Sequence, residues 1–136
     1  MEDCIFCKIV KGEILSHKIY EDDLVYAFLD VKPVSPGHIL VIPKDHHENI
    51  FDCPENILSQ IIKVSKKIAQ LLKDKLGVEA VNIFNNSGGV AGQDVFHLHF
   101  HVVPRSKKDN MKMGFIGKKD LNINLEEIKN KLVLES

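Results

Sequence analysis

The chain has 136 residues, 44% hydrophobic and 27% charged, with a formal net charge of -1. That length suits one domain spanning residues 1–136 with a real core, and the composition is ordinary for a soluble protein. The near-zero charge gives no reason to expect nucleic acid or membrane as a partner, and no apolar run approaches the ~20 residues of a membrane span. The N-terminal Met1-Glu2-Asp3-Cys4 lacks the basic and long apolar regions of a signal peptide, so the expected location is cytoplasmic. Cys4, Cys7 and Cys53 are an odd set without an export signal, which argues against a disulfide framework.

In chain order, Ile5 to Ile14 mixes apolar and basic residues and breaks at Gly12, which predicts a short helix or turn. Cys4-Ile5-Phe6-Cys7 spaces two thiols for one metal ion. Such a pair is half a zinc site, and two reduced thiols beside an apolar segment explain it equally. Lys18–Glu21 and Leu24–Asp30 read as two strands of a hairpin turning at Glu21-Asp22-Asp23. Val31–Gly37, with Pro33, Pro36 and Gly37, is loop. His38-Ile39-Leu40-Val41-Ile42 is a buried strand closed by Pro43. His38 is either a strand-entry residue or a group aimed into a pocket. His46 and His47 fall in a polar stretch where surface histidines are ordinary. Cys53 is an ordinary thiol at a helix entry. Pro54 opens a long amphipathic helix on which Ile57, Ile61, Val64, Ile68, Leu72 and Leu76 share a face, and Gly77 caps it. The lysines of that helix lie off the stripe, on a solvated face.

Ala80–Asn85 is a further strand. It leads into Asn85-Asn86-Ser87-Gly88-Gly89-Val90-Ala91-Gly92-Gln93-Asp94, a loop whose backbone N–H groups can turn toward an anion, although a plain hairpin connection would also look like this. Val95–Arg105 follows as a strand with His97, His99 and His101 on one face and Leu98, Phe100 and Val102 on the other. Pro104 helps to end it. Three imidazoles in alternation suit either a metal triad or phosphate chemistry with one histidine as nucleophile and its neighbours as donors. Ser106–Lys112 is a polar loop. Asn124 can cap a short terminal helix with Glu126 and Glu127 in its first turn and Leu125, Ile128 and Leu132 as a narrow apolar stripe. The fold class is α+β: about five antiparallel strands, one long helix and a short C-terminal helix.

His97-Leu98-His99-Phe100-His101-Val102-Val103 resembles the signature of the histidine-triad (HIT) superfamily of nucleotide hydrolases and transferases. Phe28-Leu29-Asp30, Pro36-Gly37-His38, Leu40-Val41-Ile42-Pro43-Lys44, Asn86 and Ala91-Gly92-Gln93 resemble its other conserved segments in order and spacing. The resemblance covers about Cys4 to Arg105. It implies a homodimeric HIT-like fold and an enzyme that cleaves the α-phosphate linkage of purine nucleoside 5′-phosphate derivatives. Phosphoramidates, acyl or aminoacyl adenylates and dinucleoside polyphosphates are the candidate substrates. By resemblance His99 is the nucleophile that becomes nucleotidylated. His101, His38, Asn86 and the backbone from Gly92 through Asp94 would hold the phosphate, Gln93 would position substrate or water, and Asp30 would take the ribose. Phe28, with Phe6, Ile9 and Ile14, would face the base or belong to the core. Asp94 departs from branches that carry Ser or Thr there. The Cys4 and Cys7 pair resembles a zinc-binding bacterial subgroup, which implies a structural zinc ion on Cys4, Cys7, His46 and His97, with His47 the rival of His46 and no cofactor needed for catalysis. A nucleotide-binding regulatory module with incidental catalysis, and a metal centre made of the three histidines themselves, are the competing readings.

Overall fold

Five antiparallel strands form one sheet in the order β1-β2-β3-β5-β4. In chain order the elements are α1 (Ile5–Val10), β1 (Lys18–Glu21), β2 (Val25–Leu29), β3 (Ile39–Pro43), α2 (Glu55–Leu76), β4 (Ala80–Asn85), β5 (Phe100–Arg105) and α3 (Leu125–Leu132). The structure is a computed structural model and describes residues 3–112, 115 and 117–134.

β2 and β3 read as continuous apolar runs because helices cover both of their faces. Successive side chains alternate. Val25, Ala27, Ile39 and Val41 therefore meet Ile57, Ile61, Val64, Ile68 and Leu72 of α2. Tyr26, Phe28, Leu40 and Ile42 meet Phe6 and Ile9 of α1 on the other side. Burying each such Ile or Leu stabilises the fold by roughly 1.5–3 kcal/mol. The predicted long helix starts after Pro54 and ends where Gly77 takes a left-handed conformation with φ 64°. Gly37 is constrained twice. Its φ is +94°, and a Cβ there would lie 3.1–3.3 Å from Leu72, Leu76 and Pro104. The glycine lets the β2–β3 loop close onto the end of α2 and deliver His38 to the sheet.

One element differs from the sequence expectation. The strand predicted from Val95 begins only at Phe100, and residues 95–99 run outside the ladder. Their neighbours withdraw. β4 leaves at Asn85 for the glycine loop, and β3 ends at Pro43, which has no N–H to offer. The backbone is satisfied otherwise: Leu98 N–H donates to His47 O (2.7 Å), and Asn85 Nδ2 donates to His99 O (2.9 Å). α3 forms as expected, capped by Asn124 Oδ1 on Glu127 N–H (3.1 Å), but its Leu125, Ile128 and Leu132 remain exposed. No described helix is long and apolar enough to cross a membrane.

Candidate functional site

Although residues 95–99 leave the ladder, their alternation survives. Leu98, Phe100 and Val102 pack toward α2, while His97, His99 and His101 point to the opposite face. His97 and His99 are buried and His101 half-buried. Their hydrogen bonds assign a proton to one nitrogen of each ring, because a carbonyl can only accept and a backbone N–H can only donate. His99 Nδ1 lies 2.8 Å from His97 O, so Nδ1 carries the proton and Nε2 presents its lone pair. His97 Nε2 donates to Pro43 O (2.8 Å), which leaves Nδ1 as the lone-pair nitrogen. Val34 N–H donates to His38 Nδ1 (3.2 Å), so His38 Nε2–H donates to His101 Nδ1 (2.9 Å). His101 then carries its own proton on Nε2. Two residues apart, the chain thus presents a base at His99 and a donor at His101. Burial holds His101 at a pKa of about 4, with the neighbouring His99 and His38 acting in the same direction. Burial also pushes His38 down, against the pull of Asp30.

Aromatic packing fixes these rings. Phe6 stands edge-on to His99 at 5.2 Å between centroids, and Phe28 stands edge-on to Phe6 at 5.5 Å. Phe28 is itself buried in the core beside Phe6. Phe84, opposite His101 in the β4–β5 register, stacks on its ring at 4.5 Å and 14°. Asp30 lies at the edge of the cluster: Oδ1 accepts from Lys32 N–H (2.9 Å), and Oδ2 is 3.6 Å from His38 Nε2.

The glycine loop is built around Gln93, which is buried. Its Oε1 accepts from Gly88 N–H (2.8 Å), and its Nε2 donates to Glu48 O (2.7 Å) and Val95 O (3.1 Å). This amide holds the loop in shape; its polar atoms are committed there and not to the open face. Gly92 has φ +96°, and a Cβ on it would lie 3.4 Å from Asn86 Nδ2, so Asn86 and Gly92 adjoin. Asp94 turns toward the triad. Its Oδ1 accepts from Val95 N–H (2.9 Å) and lies 3.5 Å from His99 Nε2.

On the other side of His99, the potential ligand atoms of Cys4, Cys7, His46 and His97 all lie within 4.8 Å of one another. His97 Nδ1 is 3.3 Å from Cys4 Sγ and 3.5 Å from Cys7 Sγ, and His46 Nδ1 is 3.4 Å from Cys7 Sγ. The donor set fits a metal ion. The lone pair of His97 faces the sulfurs while its N–H is anchored on Pro43 O, the arrangement in which a ligating histidine is oriented from behind. Burial holds His97 at a pKa of about 4, so the ring is neutral and available. Burial also raises the Cys7 thiol, which a bound cation would reverse. His46, not His47, joins the set. A metal centre of the three strand histidines is not what the geometry shows, since His97 groups with the cysteines and His101 with His38 and Asp30.

Sequence reading missed Asn85, Phe84, Val34 N–H and Pro43 O, which orient the histidines. Phe84 and Asn85 become visible only once the β4–β5 register is known.

A HIT domain model matches residues 11–108. A HIT-like protein of Borreliella burgdorferi is 47% identical over 95% of this chain and 93% of its own length. The adenosine 5′-monophosphoramidase HNT1 of Saccharomyces cerevisiae is 40% identical over 82% of this chain and 69% of its own. The adenylylsulfatase HINT3 of Arabidopsis thaliana is 37% identical over 79% and 54%. A crystal structure of a HIT family protein from Bacillus anthracis superposes with a TM-score of 0.87 at 41% identity, covering 96% of this chain and 92% of that one. A Zn-bound histidine triad family protein from Mycobacterium smegmatis gives a TM-score of 0.79 at 36% identity, covering 88% and 86%. With its alternating histidines leading into β5, its glycine loop against them and the family model matched across both, the chain belongs to the histidine-triad superfamily of HIT proteins.

Proposed function

We propose that the protein hydrolyses purine nucleoside 5′-phosphate derivatives through a nucleotidyl-histidine intermediate on His99. The observation that carries this reading is the tautomer of His99: Nδ1–H is tied to His97 O, so the buried ring directs a lone pair from Nε2. Nε2 attacks the α-phosphorus, and the bond to the leaving group breaks. The bonding electron pair departs with that group, which takes a proton from water. A second water then attacks phosphorus, the P–Nε2 bond breaks, and a nucleoside monophosphate is released with a proton. Splitting one displacement into two is ordinary covalent catalysis. His101 Nε2–H, Asn86 and the backbone from Gly92 through Asp94 hold the phosphate oxygens as charge develops, and Asp30 takes the ribose hydroxyls. Donors so placed are each worth about 10²–10³ in rate. The activities named for HNT1 and HINT3 support a nucleotide substrate.

The donor set of Cys4, Cys7, His46 and His97 suits structural zinc, an assignment supported by the Zn-bound relative. A closed set of four protein ligands would pin the N-terminal segment against the histidine strand and take no part in the chemistry. A homodimer is the natural assembly. β4 is an edge strand with Ile83 and Phe84 exposed, and α3 carries an uncovered apolar stripe.

Intact-mass analysis after rapid acid-free quenching with adenosine 5′-phosphoramidate tests the mechanism. Wild type is expected to show a transient adenylyl adduct and to release AMP, and His99→Ala neither. AMP release persisting without His99 would overturn the proposal.

A further inference from the structure

We propose that Asp94 selects the leaving group by charge, favouring substrates whose leaving group carries an ammonium over those whose leaving group is anionic; the inference rests on the reaction at His99 just described. His99 has a side chain only 4% exposed, and its Nε2 makes no hydrogen bond among the described residues. The charged group nearest that reacting atom is Asp94 Oδ1, 3.5 Å away on a side chain that is 81% exposed. Val95 N–H holds that oxygen in place. A carboxylate there stands on the solvent side of the buried nucleophile, and it also lines a depression of about 740 Å³ whose lining does not include His99. Asp3, Glu48, Asp52 and Asp94 line the depression, and among the described residues no lysine or arginine does.

The α-phosphate is anionic in every substrate, so its repulsion by Asp94 is common to all of them. The leaving group is the part that varies. A group departing from phosphorus on the side away from His99 moves toward solvent, and Asp94 is the charged group nearest the reacting nitrogen. An amine or aminoacyl group with a free ammonium gains attraction along that path, and a phosphate or sulfate meets repulsion. Because the carboxylate is largely solvated, the selection is moderate and sensitive to salt.

The experiment uses three adenosine 5′-phosphoramidates that share one P–N bond and one alkyl chain. They differ only at the far end of the chain: ammonium, methyl or carboxylate. Wild type is expected to rank them in that order in kcat/KM, with about tenfold between the extremes at about 20 mM salt, shrinking at about 0.5 M. Asp94→Asn, which keeps the oxygen for Val95 N–H, and Asp94→Ser are expected to compress the spread to about twofold or less. The ratio within one protein cancels any difference in active fraction. Turnover of all three by wild type with no spread, or a spread that survives both substitutions, overturns the inference while leaving the His99 chemistry standing. No turnover and no adduct with any of the three overturns the His99 reading and the inference with it.

Discussion

Two groups of side chains flank His99 and are made of nearly the same parts. One side holds Cys4, Cys7, His46 and His97, and the other holds Asp30, His38 and His101. Both contain imidazoles from the same strand segment, and burial depresses both His97 and His101 to a pKa of about 4. They differ in what fixes each proton. The N–H of His97 is spent on Pro43 O, so its free nitrogen is a ligand facing two sulfurs. The free nitrogen of His101 carries the proton, because His38 has already filled its Nδ1, so it faces the cleft as a donor. A histidine's residue type therefore says little about its task; the neighbour that occupies its other nitrogen says more.

Substitutions on the two sides should separate cleanly. The largest effect belongs to the residue between them. His99→Ala is expected to lower AMP release about 10⁴-fold or more in protein that calorimetry shows to be folded, as steady-state kinetics on the same sample would show. A loss below tenfold would count against the covalent route. His101→Asn removes one phosphate donor and is expected to cost about 10²–10³ in kcat with metal content unchanged. Cys7→Ser should do the reverse. We expect zinc by elemental analysis to fall toward zero and stability in urea to drop by about 2–4 kcal/mol, with the residual folded enzyme still forming the adenylyl adduct. If Cys7→Ser abolished the adduct in folded protein, the division of labour between the two sides would be wrong.

The smallest effect is in pH dependence. His101 is depressed in the folded chain to about 4, and the unfolded chain titrates near ~6.5. Between those values the unfolded state binds the proton and the folded state does not, so stability is full above about 6.5 and declines as pH falls toward 4. The limit is ~1.4 kcal/mol per pH unit, which solvent at the half-open cleft discounts to roughly 1. Urea unfolding of metal-free protein from pH 7 to 4.5 should show this slope flattened by about that amount in His101→Asn. An unchanged slope would mean that His101 does not titrate on unfolding in this range.

Much of this arrangement was legible in the residues. Alternation at His97, His99 and His101 places three imidazoles on one face whatever the hydrogen bonding, and that face survived even where the strand did not. The stripe of Ile57, Ile61, Val64, Ile68 and Leu72 announced α2, because helical spacing of large apolar groups has no other economical burial. The start of β5 at Phe100 is not encoded in its own residues, because strand pairing depends on the partner. Nothing in Val95–His99 itself says that β4 will leave at Asn85. The residue type alone marks Asp94 as a departure from Ser and Thr, whereas the direction of its carboxylate is set by Val95 N–H, which holds it beside His99 Nε2.

By itself the sequence determined the fold class, the histidine face, the glycine loop and the ligand types, because periodicity, turn chemistry and donor chemistry are local properties. Only the tertiary structure decided which nitrogen of each histidine is free, that His46 and not His47 joins the cysteines, and that Gln93 braces the loop. Those outcomes rest on contacts between segments far apart in the chain. Pro43 lies 54 residues from His97, and Cys7 lies 90 from it. Such contacts are set by how the sheet and its two helical covers pack, and no local pattern encodes them.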